Sequence, residues 1–269
     1  MLKKTMTWTV AMIALVAVAT AAMTADEILD RMEEEADRLN EGSMVGTMRF
    51  DITYRDGTTS ERLFGMLSIP DFALIYFIEP TDVAGTIFLT HEIDEGDDSR
   101  MWLYLPLLGI PKEFVSDEER GGSFAGSSMS YDDLGGGNER DDFVATLLGE
   151  EDLVIGDETR TAYVIESVAK DGVDTDTPRS VVWVDTDGFI MLRAESYNDL
   201  GNLSSTVEVV ALTEFDGMLT FAEMLSTDVL DESSTLITVV ERHRPDAEIG
   251  SDVFSPDGLT TFDPAAWGF

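Results

Sequence analysis

The chain contains no cysteine. That excludes a disulfide scaffold, a thiol nucleophile and any cysteine-ligated metal centre. It also excludes a lipoprotein acylated on an N-terminal cysteine. Histidine occurs only at His91 and His243, so a zinc site or a histidine-based triad is poorly supplied. Basic residues are scarce too: 17 Lys and Arg stand against 54 Asp and Glu, for a net charge of −37. Such a surface repels nucleic acid and anionic membranes, which argues against a DNA or RNA role. Salt screening eases self-repulsion on this scale, so the composition reads as a saline adaptation or a solubility device. Glycine-rich phosphate loops and the G-x-S-x-G elbow are missing. Ser127 and Ser128 lie in a glycine-rich loop, but without the strand–turn–helix context of a nucleophile.

What is present begins with an export signal. Lys3 and Lys4 precede a short apolar run, Met6 to Val18, and Ala19-Thr20-Ala21 is a small-residue cleavage site. Residues 1–22 are therefore expected to be a cleaved signal peptide and 23–269 a single mature domain; a transmembrane anchor is the alternative, which the short, Thr-interrupted run without a basic stop disfavours. Beyond the signal, no stretch of ~18 residues is apolar enough to span a membrane.

The mature chain opens on a predicted helix over 24–41. Thr24 and Glu27 have capping-box spacing, and Ile28, Met32, Ala36 and Leu39 repeat at helical intervals. From Ser43 the pattern turns to alternation, as in Met44, Gly46, Met48, Phe50 and Ile52. Asp56-Gly57, Asp171-Gly172, Asp187-Gly188 and Asp216-Gly217 mark hairpin turns. Phe72 to Ile78 and Gly85 to Thr90 are apolar on both faces and should be covered on both sides. Ten to twelve strands are expected. The fold class is mainly β: one large curved antiparallel sheet forming an unclosed β-barrel, covered by the N-terminal helix and a long loop with a short helix. A β-sandwich is the rival architecture.

The long loop follows the strand Met101–Leu105, ended by Pro106. It runs to Leu134, and a loop of that length in a compact domain is usually functional or mobile. Ser130 could cap a short helix near its end. His91 sits in sequence beside Glu92, Asp94 and Glu95 and reads as a histidine of a solvated turn; His243 reads as a surface histidine. The acidic runs 94–98 and 171–176 lack EF-hand spacing. No catalytic residue, metal site or cofactor is expected. A hydrolase with an unrecognised site is a minor alternative.

The ordered set Trp102-Leu103-Tyr104-Leu105-Pro106, Arg120-Gly121-Gly122-Ser123-Phe124-Ala125-Gly126-Ser127 and Ser130-Tyr131-Asp132-Asp133-Leu134 resembles the LolA-like outer-membrane lipoprotein-sorting proteins. Glu79-Pro80, Val182-Trp183-Val184-Asp185 and Asp252-Val253-Phe254-Ser255 follow in family order. The resemblance implies a half-barrel around a hydrophobic cavity and a non-enzymatic periplasmic carrier of lipid or lipoprotein acyl chains. It also implies a possible partnership with an inner-membrane exporter of the resistance–nodulation–division class or with an outer-membrane acceptor. A soluble adaptor of such an exporter, without cargo of its own, is the alternative. A monomer is expected. Leu107-Leu108-Gly109-Ile110 departs from the basic residues that relatives carry there. Strand phase nominates Phe64, Met66, Leu74, Tyr76, Ile87, Leu89, Trp102, Tyr104 and Trp183 as cavity residues. Phe124, Met129 and Tyr131 are the lid candidates.

Overall fold

A computed structural model describes residues 23–92, 99–135 and 140–269. The expected signal over 1–22 and the acidic run 94–98 lie outside the described residues. None of the described helices is long and apolar enough to cross a membrane.

Helix α1 spans Ala25–Asn40. It starts where the sequence predicts because Thr24 and Glu27 close a capping box: the Glu27 backbone N–H donates to Thr24 Oγ1, and the Thr24 N–H donates to Glu27 Oε2. Its buried residues Ala25, Ile28 and Leu29 pack on the sheet, while its charged face points to solvent.

The rest is strand. β1 (Met44–Thr53), β2 (Thr59–Ile69), β3 (Phe72–Glu79), β4 (Ile87–His91), β5 (Arg100–Tyr104) and β6 (Pro111–Glu113) form one half. Two single-turn helices follow, α2 (Asp117–Arg120) and α3 (Asp132–Gly135). The other half is β7 (Phe143–Ile155), β8 (Glu158–Ala169), β9 (Arg179–Asp185), β10 (Met191–Tyr197), β11 (Leu203–Phe215), β12 (Met218–Asp228) and β13 (Ser233–His243). All thirteen make one antiparallel sheet in the order β6-β5-β4-β3-β2-β1-β13-β12-β11-β10-β9-β8-β7. The first and last strands meet in the middle, with Phe50 opposite Ile237. β6 and β7 remain free edges, so the barrel is unclosed and a two-sheet sandwich is excluded.

The edges carry their own protection. Pro111 opens β6, and Glu150, Glu151 and Asp152 lie on β7; proline and charge both discourage further strand addition. Asp216 (φ 52°) and Gly217 (φ 77°) form the two-residue turn between β11 and β12. That left-handed pair matches the sheet's twist.

Alternation sorts the side chains onto two faces. The inner face carries Met48, Phe50 and Ile52 of β1, Phe64 and Met66 of β2, Ile75 and Phe77 of β3, Phe88 of β4 and Ile237 of β13. The segment 114–134 covers this half of the face. Farther along the same face, α1 covers Ile165 and Val184. The outer face of β1–β5 carries Val45, Leu67, Leu74, Ile87, Leu89 and Trp102. Over it lies the C-terminal tail, three short 3-10 turns that bury Phe254 and Leu259. Both covers together explain why β3 and β4 are apolar on both sides.

The tail sits close because Gly65 has no side chain. A Cβ there would fall 2.4 Å from the Phe269 ring. Gly65→Ala is expected to push Phe269 off the sheet and cost about 1–3 kcal/mol as overpacking. Thermal unfolding beside a chain lacking Phe269 checks this, because the two losses should not add.

Candidate functional site: a plugged inner face and its polar mouth

The segment 122–131 delivers Phe124 to the inner face. The Phe124 N–H donates to the Met129 carbonyl (2.7 Å), and the Tyr131 N–H to the Gly122 carbonyl (3.1 Å). Between them Ala125 (φ 52°) and Gly126 (φ 78°) make a tight left-handed turn. A non-glycine residue there stores strain of about 1–2 kcal/mol, held by the packing that follows. Phe124 is fully buried, with ring centroids 5.4 Å from Phe64, Phe77 and Tyr131, 5.7 Å from Phe88 and 6.1 Å from Phe50. Edge-on and tilted aromatic pairs each add about 0.5–1.5 kcal/mol beyond area burial. Met129 is buried in the same cluster and Tyr131 packs at its rim, where burial pushes its phenol pKa up. The three lid candidates are therefore side by side, against the inner face.

The loop is pinned across the sheet's centre by hydroxyls. Ser128 N–H donates to Thr235 Oγ1 (2.9 Å), and Ser128 Oγ lies 3.0 Å from both Ser226 Oγ and Thr235 Oγ1. Ser226 and Thr235 are themselves buried. A further tie joins Arg120 Nε to Asp132 Oδ1 (2.8 Å) and Arg120 Nη1 to the Ser99 carbonyl (2.8 Å). Ser130 caps α3 as expected: the Asp133 N–H donates to its hydroxyl.

The nine cavity candidates are divided between the faces. Phe64 and Met66 share the inner face with Phe124. Leu74, Tyr76, Ile87, Leu89, Trp102 and Tyr104 lie on the outer face under the tail, where Tyr76 stacks near Phe262 and Phe269. Trp183 is on that outer face too, in a separate group, its indole N–H donating to Glu151 and Arg193 stacked over its ring. The phase of β3 to β5 is one residue out from that of β2 because the two-residue turn Pro70-Asp71 sets Ile69 opposite Phe72, so even positions of β2 face odd positions of β3: Phe64 pairs with Phe77, and Leu74 with Leu67.

His91 corrects the expectation of a solvated turn. Its ring lies against Phe72 and Trp102, with centroids at 4.7 and 4.5 Å. Nε2 is 2.6 Å from the Phe254 carbonyl oxygen. A carbonyl only accepts, so Nε2 carries the proton. The residue ties the tail to the sheet and is absorbed structurally. His243 is an exposed residue whose nearest carboxylate, Glu241, is 3.7 Å away.

Between the loop and the far half of the sheet opens a cleft of about 2070 Å³. Its walls are polar: Ser128 and Asp132 from the loop, Asp174 and Asp176 from the β8–β9 connection, Ser205 of β11, and Asp228 of β12. Among the described residues, no group of three or more acidic or histidine side chains is placed to hold a metal ion. An apolar cleft of about 50 Å³ sits at the opposite end of β1, between Met44, Met48, Met66, Ser68 and Arg242. Met48 and Met66 also pack against the Phe124 cluster, so this cleft and the plug are neighbours. Outside, the β5–β6 turn exposes Leu107 (100%), Leu108 (62%) and Ile110 (66%).

Sequence reasoning missed Arg242, the Ser128–Ser226–Thr235 contacts and the tail as an outer cover. The tail's aromatics, Phe254, Phe262, Trp267 and Phe269, were the available signal.

Residues 71–261, well over half of the chain, match a family model described as "uncharacterized protein"-like. The search of curated proteins found no match. Among solved structures, a DUF1329 family protein from Desulfovibrio piger is 24% identical, with a TM-score of 0.76 over 87% of this chain and 98% of that one. A domain from Vibrio parahaemolyticus, provisionally assigned as an outer membrane lipoprotein-sorting protein, is 23% identical, with a TM-score of 0.73 over 88% and 99%. A LolA superfamily protein from Nitrosomonas europaea is 19% identical, with a TM-score of 0.64 over 88% and 99%. The chain belongs to the family that this model describes, and it shares the fold of these three solved structures.

Proposed function

We propose that the protein is an exported, non-enzymatic carrier of acyl chains, lipid or lipoprotein, acting in the periplasm. The observation that carries this reading is Phe124. A loop side chain fills an aromatic socket on the inner face, and the loop holding it is fixed to β12 and β13 through hydroxyl contacts at one residue. Release of the loop breaks hydroxyl bonds of about 0.5–1.5 kcal/mol each and takes Phe124 out of its socket, a loss of apolar burial that a chain entering the same socket offsets. An acyl chain then takes the place of the Phe124 ring, with Phe64, Met66 and Phe88 as its walls. The closed form keeps this surface from water when no cargo is bound. The exposed Leu107, Leu108 and Ile110, three apolar side chains within one turn, supply an apolar contact for a donor or acceptor on a chain of strongly acidic composition.

The alternative, an adaptor of a membrane exporter without cargo, is favoured by one fact: the apolar interior is filled by the chain itself. The two readings separate on purification from the envelope followed by lipid extraction and mass spectrometry. A carrier yields a bound lipid or takes up a fluorescent fatty acid afterwards. An adaptor does neither.

A further inference from the structure

Arg242 stands apart from the other basic groups. Among the described residues every other arginine except Arg62 is ion-paired with a carboxylate. Arg62 is held by the Ser60 hydroxyl and the Glu61 carbonyl. Arg242 makes a single hydrogen bond, Nη1 to Thr220 Oγ1 at 3.2 Å, and lies over the rings of Phe215 (5.5 Å) and Phe221 (5.7 Å). Burial, and next the neighbouring Arg244, pull its pKa down from the ordinary arginine value. Arginine does not lose its proton in proteins, so the cation stays and its cost remains. In a chain with 54 acidic residues, a half-buried guanidinium without an ion pair is a gap in the local pairing: Glu241 also lines the cleft, but its carboxylate lies by His243 (3.7 Å) and is exposed.

A second group in the same cleft is also unmatched. Ser68 Oγ is buried and has no hydrogen-bond partner among the described residues. Between these two polar groups are three unbranched, adaptable methionines, Met44, Met48 and Met66. Met48 and Met66 continue into the Phe124 socket. A cation and a free hydroxyl therefore end an apolar track that starts where the plug sits.

We propose that Arg242 and Ser68 bind the anionic head of an acyl amphiphile, a carboxylate or phosphate oxygen, while its chain runs past Met48 and Met66 into the socket Phe124 vacates. This rests on the carrier reading and sharpens it: the cargo is an anionic amphiphile with its head toward the β1–β13 end, remote from the polar mouth. A guanidinium offers two parallel donors to one oxyanion, and Ser68 supplies a third. The 50 Å³ cleft admits a head group only after the methionines turn aside.

The test is fluorescence titration with cis-parinaric acid and with its uncharged methyl ester. The wild type is expected to bind the acid at least about tenfold more tightly than the ester, the size of a charge-assisted contact. Arg242→Gln should erase that preference and leave ester binding within about twofold, and Arg242→Lys should keep part of it. Ser68→Ala should reduce acid binding alone. Competition with inorganic phosphate separates the sources: displacement of the acid by millimolar phosphate means the oxyanion suffices, whereas no displacement means the chain is needed; either agrees with the proposal. Equal binding of acid and ester by the wild type, or a preference surviving Arg242→Gln, overturns it while the carrier reading stands. Binding of neither probe overturns both. Folding of each variant is read by circular dichroism, and Arg242→Met, which removes a half-buried charge without an ion pair, is expected to melt no lower than the wild type.

Discussion

Phe124→Ala is expected to lower stability by about 3–5 kcal/mol, the usual cost of removing a buried phenylalanine from a well-packed core, and at the same time to tighten acyl-chain binding. Both effects have one cause. The ring contacts Phe50, Phe64, Phe77, Phe88 and Tyr131 in a socket closed to solvent. Deleting it leaves a cavity lined by aromatics, which stays dry and accepts an apolar guest. A chain entering the wild type must first displace the plug, and a chain entering the variant need not. Urea denaturation gives the first number and titration with a fluorescent fatty acid gives the second. Bound lipid should then restore part of the variant's lost stability by mass action. A variant that is destabilised but binds no better shows that the ring is core and nothing more.

Asp185→Ala is the other large effect, about 3–5 kcal/mol as the cost of breaking a buried ion pair, toward the lower end because Arg160 retains some solvent contact. Asp185 is 1% exposed in its side chain and takes both Arg160 Nε and Nη2 at 2.8 Å. It also accepts the N–H groups of Asp187 (3.0 Å) and Gly188 (2.6 Å). The carboxylate thus locks the β9–β10 turn to β8 at the far end of the sheet. Burial alone would raise its pKa. The Arg160 guanidinium, the Gly188 N–H and the Asp187 N–H outweigh burial and hold it below the usual aspartate value. A depressed folded-state pKa makes the stabilisation complete above the unfolded-state value and lost as pH falls through the folded-state value. Wild-type stability should therefore fall in acid below the ordinary aspartate range, and Asp185→Asn should flatten that part of the profile. Chemical denaturation across pH checks it, and a variant with an unchanged acid slope would rule the pair out as the source.

Much of the architecture is legible from local pattern. Helix α1 is written in Thr24, Glu27 and the Ile28 stripe, signals that act within one turn of chain. The β11–β12 hairpin is fixed by Asp216-Gly217, because few other pairs tolerate two left-handed residues. The double-sided apolarity of β3 and β4 correctly signals two covers. What alternation cannot supply is which face is which. Phe64 and Leu74 look alike in sequence, and the register set by the two-residue turn at Pro70-Asp71 puts one in the cluster of Phe124 and the other in that of Phe254. Long-range partners are likewise unwritten. Ser128 finds Thr235 107 residues away, and nothing near either residue announces it. Arg242 reads as an ordinary strand-end arginine until it is known to make no ion pair among the described residues.

The loop's release from β13 is the step on which the carrier reading depends, and the lack of native cysteine allows it to be blocked cleanly. Ser128 Oγ and Thr235 Oγ1 are 3.0 Å apart, so Ser128→Cys together with Thr235→Cys sets two thiols side by side, and loss of free thiol on oxidation reports that the disulfide has formed. The measurement is fluorescent fatty-acid binding by this double variant, oxidised and then reduced. Abolished binding in the oxidised form that returns on reduction is the predicted result. Undiminished binding with the loop locked shut would contradict it, because cargo would then reach its site without displacing Phe124.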